Sequence, residues 1–298
     1  MMNKAYFKYI IALLLFGTNG IVASNISLSS YEIVYLRTMI GSFMLILIFV
    51  LTKGRLSVFR KRKQLFSLVV SGIALGTSWI FLYEAYQQIG VSFASLAYYC
   101  GPVIVMALAP ILFQERLTLT KGIGFLSVLV GIFLVNGKLA ETGANRWGLI
   151  CGIMSAVMYA VMVIFSKNSK DITGLENSML QLLFSFLTVA VFVIYKQGFN
   201  IHIERADVVP VLILGLLNTG IGCYLYFSSI GLLGVQTVAI CGYLEPLSAV
   251  VFSVLFLREG MSLTQVIGAA LILAGAVSGE LLALGNRRVA LKPQDNHV

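Results

Sequence analysis

Residues 99–134 read YCGPVIVMALAPILFQERLTLTKGIGFLSVLVGIFL, and residues 243–278 read YLEPLSAVVFSVLFLREGMSLTQVIGAALILAGAVS. The two stretches align without gaps at a constant offset of 144 residues, and nine of the 36 aligned positions are identical. Apolar sequences match easily by chance, but here the rarer residue types also match in register. The matched pairs include Tyr99/Tyr243, Pro102/Pro246, Glu115/Glu259, Gly124/Gly268 and Gly131/Gly275. The chain therefore contains an internal repeat.

The repeat lies in a chain that is apolar almost throughout. Of the 298 residues, 59% are hydrophobic and 11% are charged, and the mean hydropathy is +0.94, whereas about 25% of the residues of soluble domains are charged. So few charges cannot cover the surface of a soluble protein of this length. Because a spanning helix takes about 20 apolar residues, the sequence predicts an all-α polytopic membrane protein with ten transmembrane helices. The predicted spans are 6–23, 32–52, 64–86, 94–113, 120–137, 147–166, 176–195, 207–228, 237–257 and 263–283.

Positive charge indicates how these spans are oriented. If the first span begins at the cytoplasmic side, fifteen Lys and Arg residues fall in cytoplasmic segments and five in the opposite segments. Since cytoplasmic loops carry the excess of Lys and Arg, both termini are predicted to be cytoplasmic, which requires an even number of spans. An alternative stays open, because Lys4 and Lys8, an apolar stretch and Val22-Ala23-Ser24 also imitate a secretory signal with its cleavage site.

The offset of the repeat predicts the symmetry of the fold. It moves the pattern from spans four and five onto spans nine and ten, so each repeat contains five helices. Five is an odd number, and the second repeat therefore enters the membrane from the other side. The predicted division is a first repeat at 1–137, a connecting loop at 138–146, a second repeat at 147–283 and a cytoplasmic tail at 284–298. Two inverted repeats around a central cavity are typical of secondary transporters.

Several strings in the two repeats also carry a family resemblance. They are Tyr98-Tyr99-Cys100-Gly101-Pro102, Leu112 to Thr118, Gly124 and Gly131-Ile132 in the first repeat, and Leu244-Glu245-Pro246, Leu257-Arg258-Glu259, Gly268 and Gly275 in the second. Together they resemble the signature halves of the drug/metabolite transporter superfamily, in its ten-helix EamA-type branch. The resemblance implies ten helices around a central cavity, export of amino acids, related metabolites or drugs, and location in the plasma membrane, the inner membrane of bacteria.

Three charged residues inside the predicted spans need an explanation, because a charge at the bilayer centre costs about 2.5 to 3.5 kcal/mol on insertion scales. Glu84 and Arg37 lie at comparable depths in spans three and two. They are candidates either for an ion pair, which would keep Glu84 ionised, or for substrate or proton binding. Glu245 precedes Pro246, and it is a candidate ligand for a cationic group or a local partner of freed backbone groups.

Prolines and polar residues in the spans are further candidates. Pro102 and Pro246 predict helix kinks at matched positions of the two repeats, which is the best sequence pointer to a transport site. The remaining candidates for substrate binding are Asn19, Tyr99, Tyr159 and Asn218. Helix packing is the alternative for Asn218, which lies among glycines, and it is the favoured interpretation of the pairs Gly72-xxx-Gly76 and Gly148-xxx-Gly152.

The function predicted from these observations is secondary active transport by alternating access, in the direction of export, with Glu84 as the candidate proton carrier. The intramembrane acids Glu84, Glu245 and Glu280 outnumber the single intramembrane cation, Arg37, which favours a substrate with a cationic group. An integral-membrane enzyme and a channel without alternating access are the alternatives. The enzyme is disfavoured because the two histidines, His202 and His297, lie in a loop and the tail, and no HExxH, GxSxG or P-loop motif occurs.

The expected partners follow from the same composition. They are a small-molecule substrate and the lipid bilayer, and the chain is a monomer or a homodimer. The net charge of +9 lies between apolar runs rather than on a basic face, so no nucleic acid is expected. The four cysteines, Cys100, Cys151, Cys223 and Cys241, lack metal-ligand spacing. No metal and no cofactor are expected.

Overall fold

A computed structural model describes residues 2–58, 61–98, 100–114, 119–136, 146–169, 171–198 and 201–257, and nine residues between 263 and 275. All the regular elements in this part of the chain are helical. They are α1 (Met2–Gly17), α2 (Asn19–Ala23), α3 (Ser30–Leu51), α4 (Arg62–Tyr98), α5 (Cys100–Phe113), α6 (Leu119–Asn136), α7 (Arg146–Lys167), α8 (Gly174–Gln197), α9 (Val208–Leu212), a π-helical segment (Ile213–Ile221), α10 (Gly222–Ile230), α11 (Val235–Gly242) and α12 (Leu244–Leu257).

Six helical stretches of the described chain are long and apolar enough to cross a membrane. They are Asn3–Ala23, Ser30–Leu51, Arg62–Ile89, Arg146–Lys167, Gly174–Lys196 and Val208–Ile230. These stretches coincide with the first, second, third, sixth, seventh and eighth predicted spans to within a few residues. The prediction of a polytopic helical membrane protein is confirmed. Much of the tenth predicted span and all of the predicted tail lie outside the described residues.

The ninth predicted span is organised differently from the prediction. Helices α11 and α12 meet at Tyr243, so Pro246 does not kink the middle of a helix, as predicted, but lies in the first turn of α12. Proline suits that position because its missing N–H would have no partner inside the helix anyway. In the fourth predicted span, residue 99 between α4 and α5 lies outside the described residues, and the kink expected at Pro102 stays a prediction.

The helix bounds follow the repeat that the sequence shows. Helices α3 and α8 start at 30 and 174, which lie 144 residues apart. The hydroxyl of Ser127 donates a 3.0 Å hydrogen bond to the carbonyl oxygen of Leu271, which is its own counterpart at this offset. Equivalent residues of two repeats come into contact only near the axis that relates them.

Glycines allow the central helices to approach closely. A Cβ atom added to Gly76 of α4 would lie 2.7 Å from the backbone oxygen of Ser185 in α8. One added to Gly152 of α7 would lie 2.6 Å from the Cβ of Ala97 in α4. Real Cβ atoms do not come so near to other atoms, so these helices would have to separate to accept a larger residue. The packing interpretation of these glycines is confirmed.

Buried polar side chains join the same helices. The Nε2 of Gln181 in α8 donates to Asn177 Oδ1 at 2.7 Å and to Ser166 Oγ at 2.8 Å, and its Oε1 accepts from Ser71 of α4. Lys167, at the end of α7, donates to the carbonyl oxygens of Ile230 and Leu233. A buried polar group without such partners would cost several kcal/mol, about 2 to 7 depending on the reference state. These bonds therefore help to specify how α4, α7, α8 and α10 pack.

Replacing Gly76 by alanine should destabilise the protein, because the new methyl group meets backbone rather than a movable side chain. Overpacking of this kind costs about 1 to 3 kcal/mol, which a thermal unfolding assay of the detergent-purified protein would detect as a lower midpoint. Gly122→Ala is the matched control, since an added Cβ there meets no atom within 4 Å. Equal midpoints for the two variants would contradict the packing role of Gly76.

Candidate functional site

A cavity of about 390 Å³ lies between α1, α2, α3, α4 and the start of α12. Ser24, Ile26 and Leu28, in the connection between α2 and α3, belong to its lining, so it reaches that end of the helix bundle. A smaller pocket of about 40 Å³ adjoins it, and the two share Phe16, Asn19, Trp79, Tyr98 and Glu245. Pockets for small molecules span about 300 to 1,000 Å³, so the cavity suits a small solute.

Arg37 is the one cation among the lining residues that the structure describes. Only 2% of its surface is exposed. Its Nε donates to Thr219 Oγ1 at 2.8 Å, its Nη1 donates to Tyr83 OH at 3.1 Å, and its guanidinium carbon lies 4.6 Å from the centroid of the Trp79 ring. The third nitrogen, Nη2, is buried and has no hydrogen-bond partner. The guanidinium is thus held in place while part of its donor capacity stays unused.

Glu245 brings the opposite charge to the same cavity. It lies in the first turn of α12, is half-buried, and lines both the cavity and the smaller pocket. Arg37 and Glu245 attract each other, but the ion pairs found within the described chain do not include one between them. The interruption at Tyr243 produces this arrangement, because it starts a new helix inside the bundle and turns the first residues of α12 towards the cavity.

Glu84 pairs with a residue other than the predicted one. Its Oε2 lies 3.6 Å from Nζ of Lys196, and its Oε1 accepts hydrogen bonds of 3.2 Å from both Trp147 and Gln88. Lys196 also donates to the hydroxyl of Tyr31 at 2.9 Å. Of the two alternatives for Glu84, the ion pair with Arg37 is therefore not the one that the structure contains. Glu84 is not among the residues that line the cavity, and its bonds join α3, α4, α7 and α8 near one end of the bundle.

The two predicted asparagines are brought together, but they differ in position. Nδ2 of Asn218 lies within hydrogen-bond distance of Leu15 O, Thr18 Oγ1 and Asn19 Oδ1, at 2.8 to 2.9 Å. These contacts attach the π-helical segment to the joint between α1 and α2. Asn19 lines the cavity and the smaller pocket, whereas Asn218 lines neither. Asn218 therefore positions Asn19, and π-helical segments often occur at such functional places.

Tyrosines close the inner end of the cavity. Tyr159, one of the predicted residues, lines the smaller pocket, and its hydroxyl lies 3.3 Å from that of Tyr226. The Tyr226 ring lies 5.3 Å from the ring of Tyr9, and the Tyr9 hydroxyl donates to Val238 O at 2.8 Å. Tyr9 lies seven residues before Phe16 on α1, about 10 Å further from the cavity mouth. These three tyrosines, the tyrosine floor, lie at the end of the cavity and its smaller pocket that is farther from the α2–α3 connection.

The other predicted residues contribute less to the lining. Tyr99 lies outside the described residues, and of Pro246 only the backbone is described. Pro102 is buried, and a Cβ on the adjacent Gly101 would lie 2.7 Å from the Tyr159 ring. Sequence reasoning missed Trp79 and did not assign Tyr83 to the site. A signal existed, because residues at 79, 83 and 86 share one face of a helix.

An acidic residue connects two segments of the chain at the mouth of the cavity. Asp207, immediately before the Val208–Ile230 span, is buried and accepts hydrogen bonds from the Ser27 N–H at 2.9 Å and the Ser27 hydroxyl at 2.7 Å. These hydrogen bonds hold the pKa of the Asp207 carboxyl below its usual value. The contact ties the α2–α3 connection to the start of α9, and so shapes the entrance.

Acidification should release this contact. Because the folded-state pKa of Asp207 lies below the unfolded value of about 3.9, its stabilising contribution is complete above about pH 4 and is lost as the pH falls through the folded-state pKa. Asp207→Asn should therefore lower the midpoint of thermal unfolding at about pH 7, and this difference should shrink below about pH 4. Glu204→Gln, at a nearby exposed acid, serves as the control. A difference that does not change with pH would contradict the role of the carboxylate.

The sequence is similar to that of known transporters along most of its length. Residues 3–137 and 146–278 match the EamA-like transporter family. The chain is 23% identical to the uncharacterized transporter YxxF of Bacillus subtilis, over 92% of this chain and 88% of that protein. It is 26% identical to an uncharacterized transporter of Archaeoglobus fulgidus, over 90% and 93%. It is 23% identical to the uncharacterized inner membrane transporter YicL of Salmonella typhimurium, over 97% and 98%.

One solved structure shows the same fold. A crystal structure that is 21% identical in sequence superposes with a TM-score of 0.81, over 94% of this chain and 98% of the other. At this identity the likeness concerns the fold alone. The two matches to the family model together cover most of the chain. The chain is therefore a member of the EamA-like transporter family, and with it of the drug/metabolite transporter superfamily, and is a multi-pass membrane transporter.

Proposed function

We propose that the protein is a secondary active transporter that exports a small metabolite, amino acid or drug by alternating access. The observation that carries this proposal is the shape of the cavity, which reaches one end of the bundle and stops at the tyrosine floor. Such a cavity holds a solute in contact with one side of the membrane at a time. Export then requires a second state in which the floor opens and the mouth closes.

The repeat supports two states of this kind. The starts of α3 and α8, which lie 144 residues apart, favour ten helices in two five-helix repeats, 1–137 and 147–283, and an odd number of helices in each makes them inverted. Inverted repeats allow one half to adopt the conformation of the other, which moves the opening from one face to the other. The bond between Ser127 and its counterpart Leu271 favours an axis between the repeats at that point.

The distribution of Lys and Arg favours cytoplasmic termini, in the inner membrane of a bacterium. With that orientation, the α2–α3 connection at the mouth lies outside, and the structure corresponds to an outward-open state. The tyrosine floor then lies on the cytoplasmic side. The partners are one small solute and the bilayer, with no requirement for a nucleic acid or a cofactor.

Among the acids that the structure describes, Glu245 is better placed than Glu84 to couple transport to the binding of a proton. Glu84, the residue singled out from the sequence, is held by Lys196 and Trp147 outside the cavity lining. Glu245 faces the open volume, where a proton or a solute can reach it. A channel is disfavoured by the tyrosine floor, which interrupts the path. An integral-membrane enzyme is disfavoured because the family consists of transporters.

Transport should be measurable with the purified protein in proteoliposomes. We expect saturable movement of at least one solute from a panel of amino acids, small metabolites and cationic drugs, at a rate that depends on an imposed pH or solute gradient. Liposomes without protein are the control. If no solute of the panel moves, the proposal fails. Flux that rises linearly with concentration would instead favour a channel.

Cysteine labelling tests the orientation of the chain in the membrane. In a variant whose four native cysteines are alanine, Ser24→Cys at the mouth should react with a membrane-impermeant maleimide in intact cells. Arg55→Cys, on the connection that follows α3, should react after permeabilisation only. Both positions are exposed, so the comparison depends on sidedness alone. The reverse pattern, or protection of both cysteines in intact cells, would overturn the orientation.

A further inference from the structure

We propose that the connection between α3 and α4 is a binding surface for anionic phospholipids of the cytoplasmic leaflet, whose headgroup phosphates bind to its lysine and arginine side chains. Residues 52–61 join the two helices, and together with the first two residues of α4 they form the segment 52–63, which we call the basic loop. This inference goes beyond the proposed transport function and does not depend on it. It uses only the cytoplasmic orientation of the basic loop.

The charge of the basic loop exceeds what orientation requires. The four other cytoplasmic segments of the predicted topology hold two or three basic residues each, whereas the basic loop holds six, namely Lys53, Arg55, Arg60, Lys61, Arg62 and Lys63. The excess of positive charge in cytoplasmic loops therefore explains on which side the basic loop lies, but not why so many cations are concentrated in it. No acidic residue occurs between Glu32 and Glu84, so its own stretch of sequence supplies no compensating charge.

Two acids from elsewhere in the chain contact the basic loop and its neighbourhood without neutralising it. Glu176, in the first turn of α8, accepts hydrogen bonds from the N–H groups of Ser57 and Val58 at 2.6 and 2.9 Å, and from the Ser57 hydroxyl at 2.7 Å. The carboxylate of Asp171 accepts a hydrogen bond from Gln64. Among the described residues, neither acid forms an ion pair with a cation of the basic loop. The two carboxylates therefore fix the loop and the start of α4, and leave the positive charge available.

Most of the described cations of the basic loop can reach a ligand. Lys61 is half-buried and donates to the backbone oxygen of Asp171 at 3.0 Å. The exposed cations are Lys53, Arg55, Arg62 and Lys63. An arginine binds a phosphate through two parallel N–H donors, and a lysine binds it as a compact charge. Phosphate groups are therefore the ligand chemistry that this surface fits.

The position of the basic loop favours a lipid phosphate over a soluble one. It connects the stretches Ser30–Leu51 and Arg62–Ile89, which are both long and apolar enough to cross the membrane, so it lies at the membrane surface. Leu51, Leu56 and Phe66, in and beside the loop, are 71%, 44% and 64% exposed. Exposed apolar side chains next to cations suit the boundary between acyl chains and headgroups. A phospholipid offers both groups in one molecule.

Bound lipid would also relieve repulsion within the basic loop. Six positive charges within eleven residues repel one another, which disfavours the folded arrangement of the segment. Clusters of four to eight Lys and Arg residues immediately cytoplasmic of a spanning helix are typical of binding to anionic lipids. Lys53 and Arg55 follow the end of α3, whereas Arg62 and Lys63 begin α4. A phosphate bound between them would therefore join the ends of two helices that line the cavity.

Lipid titrations of the detergent-purified protein test the proposal. Phosphatidylglycerol and phosphatidylcholine with the same acyl chains differ in the net charge of the headgroup. We expect phosphatidylglycerol to raise the midpoint of thermal unfolding by several degrees and phosphatidylcholine to leave it nearly unchanged, because a ligand of the folded state stabilises that state. Equal shifts for the two lipids would overturn the proposal. Inorganic phosphate at the same concentration is the third arm, and a shift as large as that with phosphatidylglycerol would mean that the surface binds soluble anions instead.

Two double variants locate the effect. Arg55→Gln combined with Arg62→Gln should remove about half or more of the shift that phosphatidylglycerol causes, because two of the exposed cations are lost. Arg146→Gln combined with Arg205→Gln is the control, since it removes the same charge from exposed positions at the opposite end of the bundle. Equal losses in the two double variants would mean that the lipid responds to net charge alone, which would contradict a surface at the basic loop.

A measurement on the unchanged protein avoids any effect of the variants on folding. Native mass spectrometry with an equimolar mixture of the two lipids should show a preference of about tenfold for bound phosphatidylglycerol. Equal binding of both lipids would overturn the proposal. So would labelling of Arg55→Cys in intact cells by the impermeant maleimide, since the basic loop would then face the outer leaflet. None of the lipid measurements involves transport, so their failure would leave the transporter function standing.

Discussion

Lipid offers no hydrogen bonds, and this constraint shapes the whole molecule. Every backbone N–H and C=O inside the bilayer needs a partner within the protein, so the chain forms helices, and any interruption must be enclosed by neighbouring helices. The interruption at Tyr243 obeys this rule, because Tyr243 is fully buried. It also creates a helix start inside the bundle, and Glu245 lies in that first turn. A backbone requirement thereby places an acid beside the cavity.

The same constraint applies to the charged side chains, which occur in the bundle either in an ion pair or with neutral partners only. Glu84 lies near the end of the Arg62–Ile89 stretch and Lys196 near the end of α8, and they bind each other, together with Tyr31 and Trp147, which is an arrangement that holds four helices together. Arg37 is embedded more deeply and is surrounded by neutral partners. A charge kept in the interior without an ionic partner is rare, and such residues are usually functional.

Much of the fold was predictable from the sequence. The apolar runs locate six described spans, and the repeat offset of 144 recurs in the starts of α3 and α8. The site was predicted in part. Asn19, Arg37, Tyr159 and Glu245 line the cavity or its smaller pocket, whereas Asn218 and Glu84 serve packing and bundle contacts. Trp79 was missed because a lone tryptophan in an apolar run is equally common at a packing position.

The sequence by itself determined that the protein lies in a membrane, that it contains a repeat, and where most of its helices begin and end, because these properties depend on hydrophobicity and on residues near one another in the chain. The tertiary structure alone decided which charges meet. Arg37 is bound by Thr219, 182 residues away, and Glu84 by Lys196 on another helix. Depth along a helix can be counted from the sequence, but the direction in which a side chain leaves the helix, and the neighbour it finds there, depend on how the helices pack.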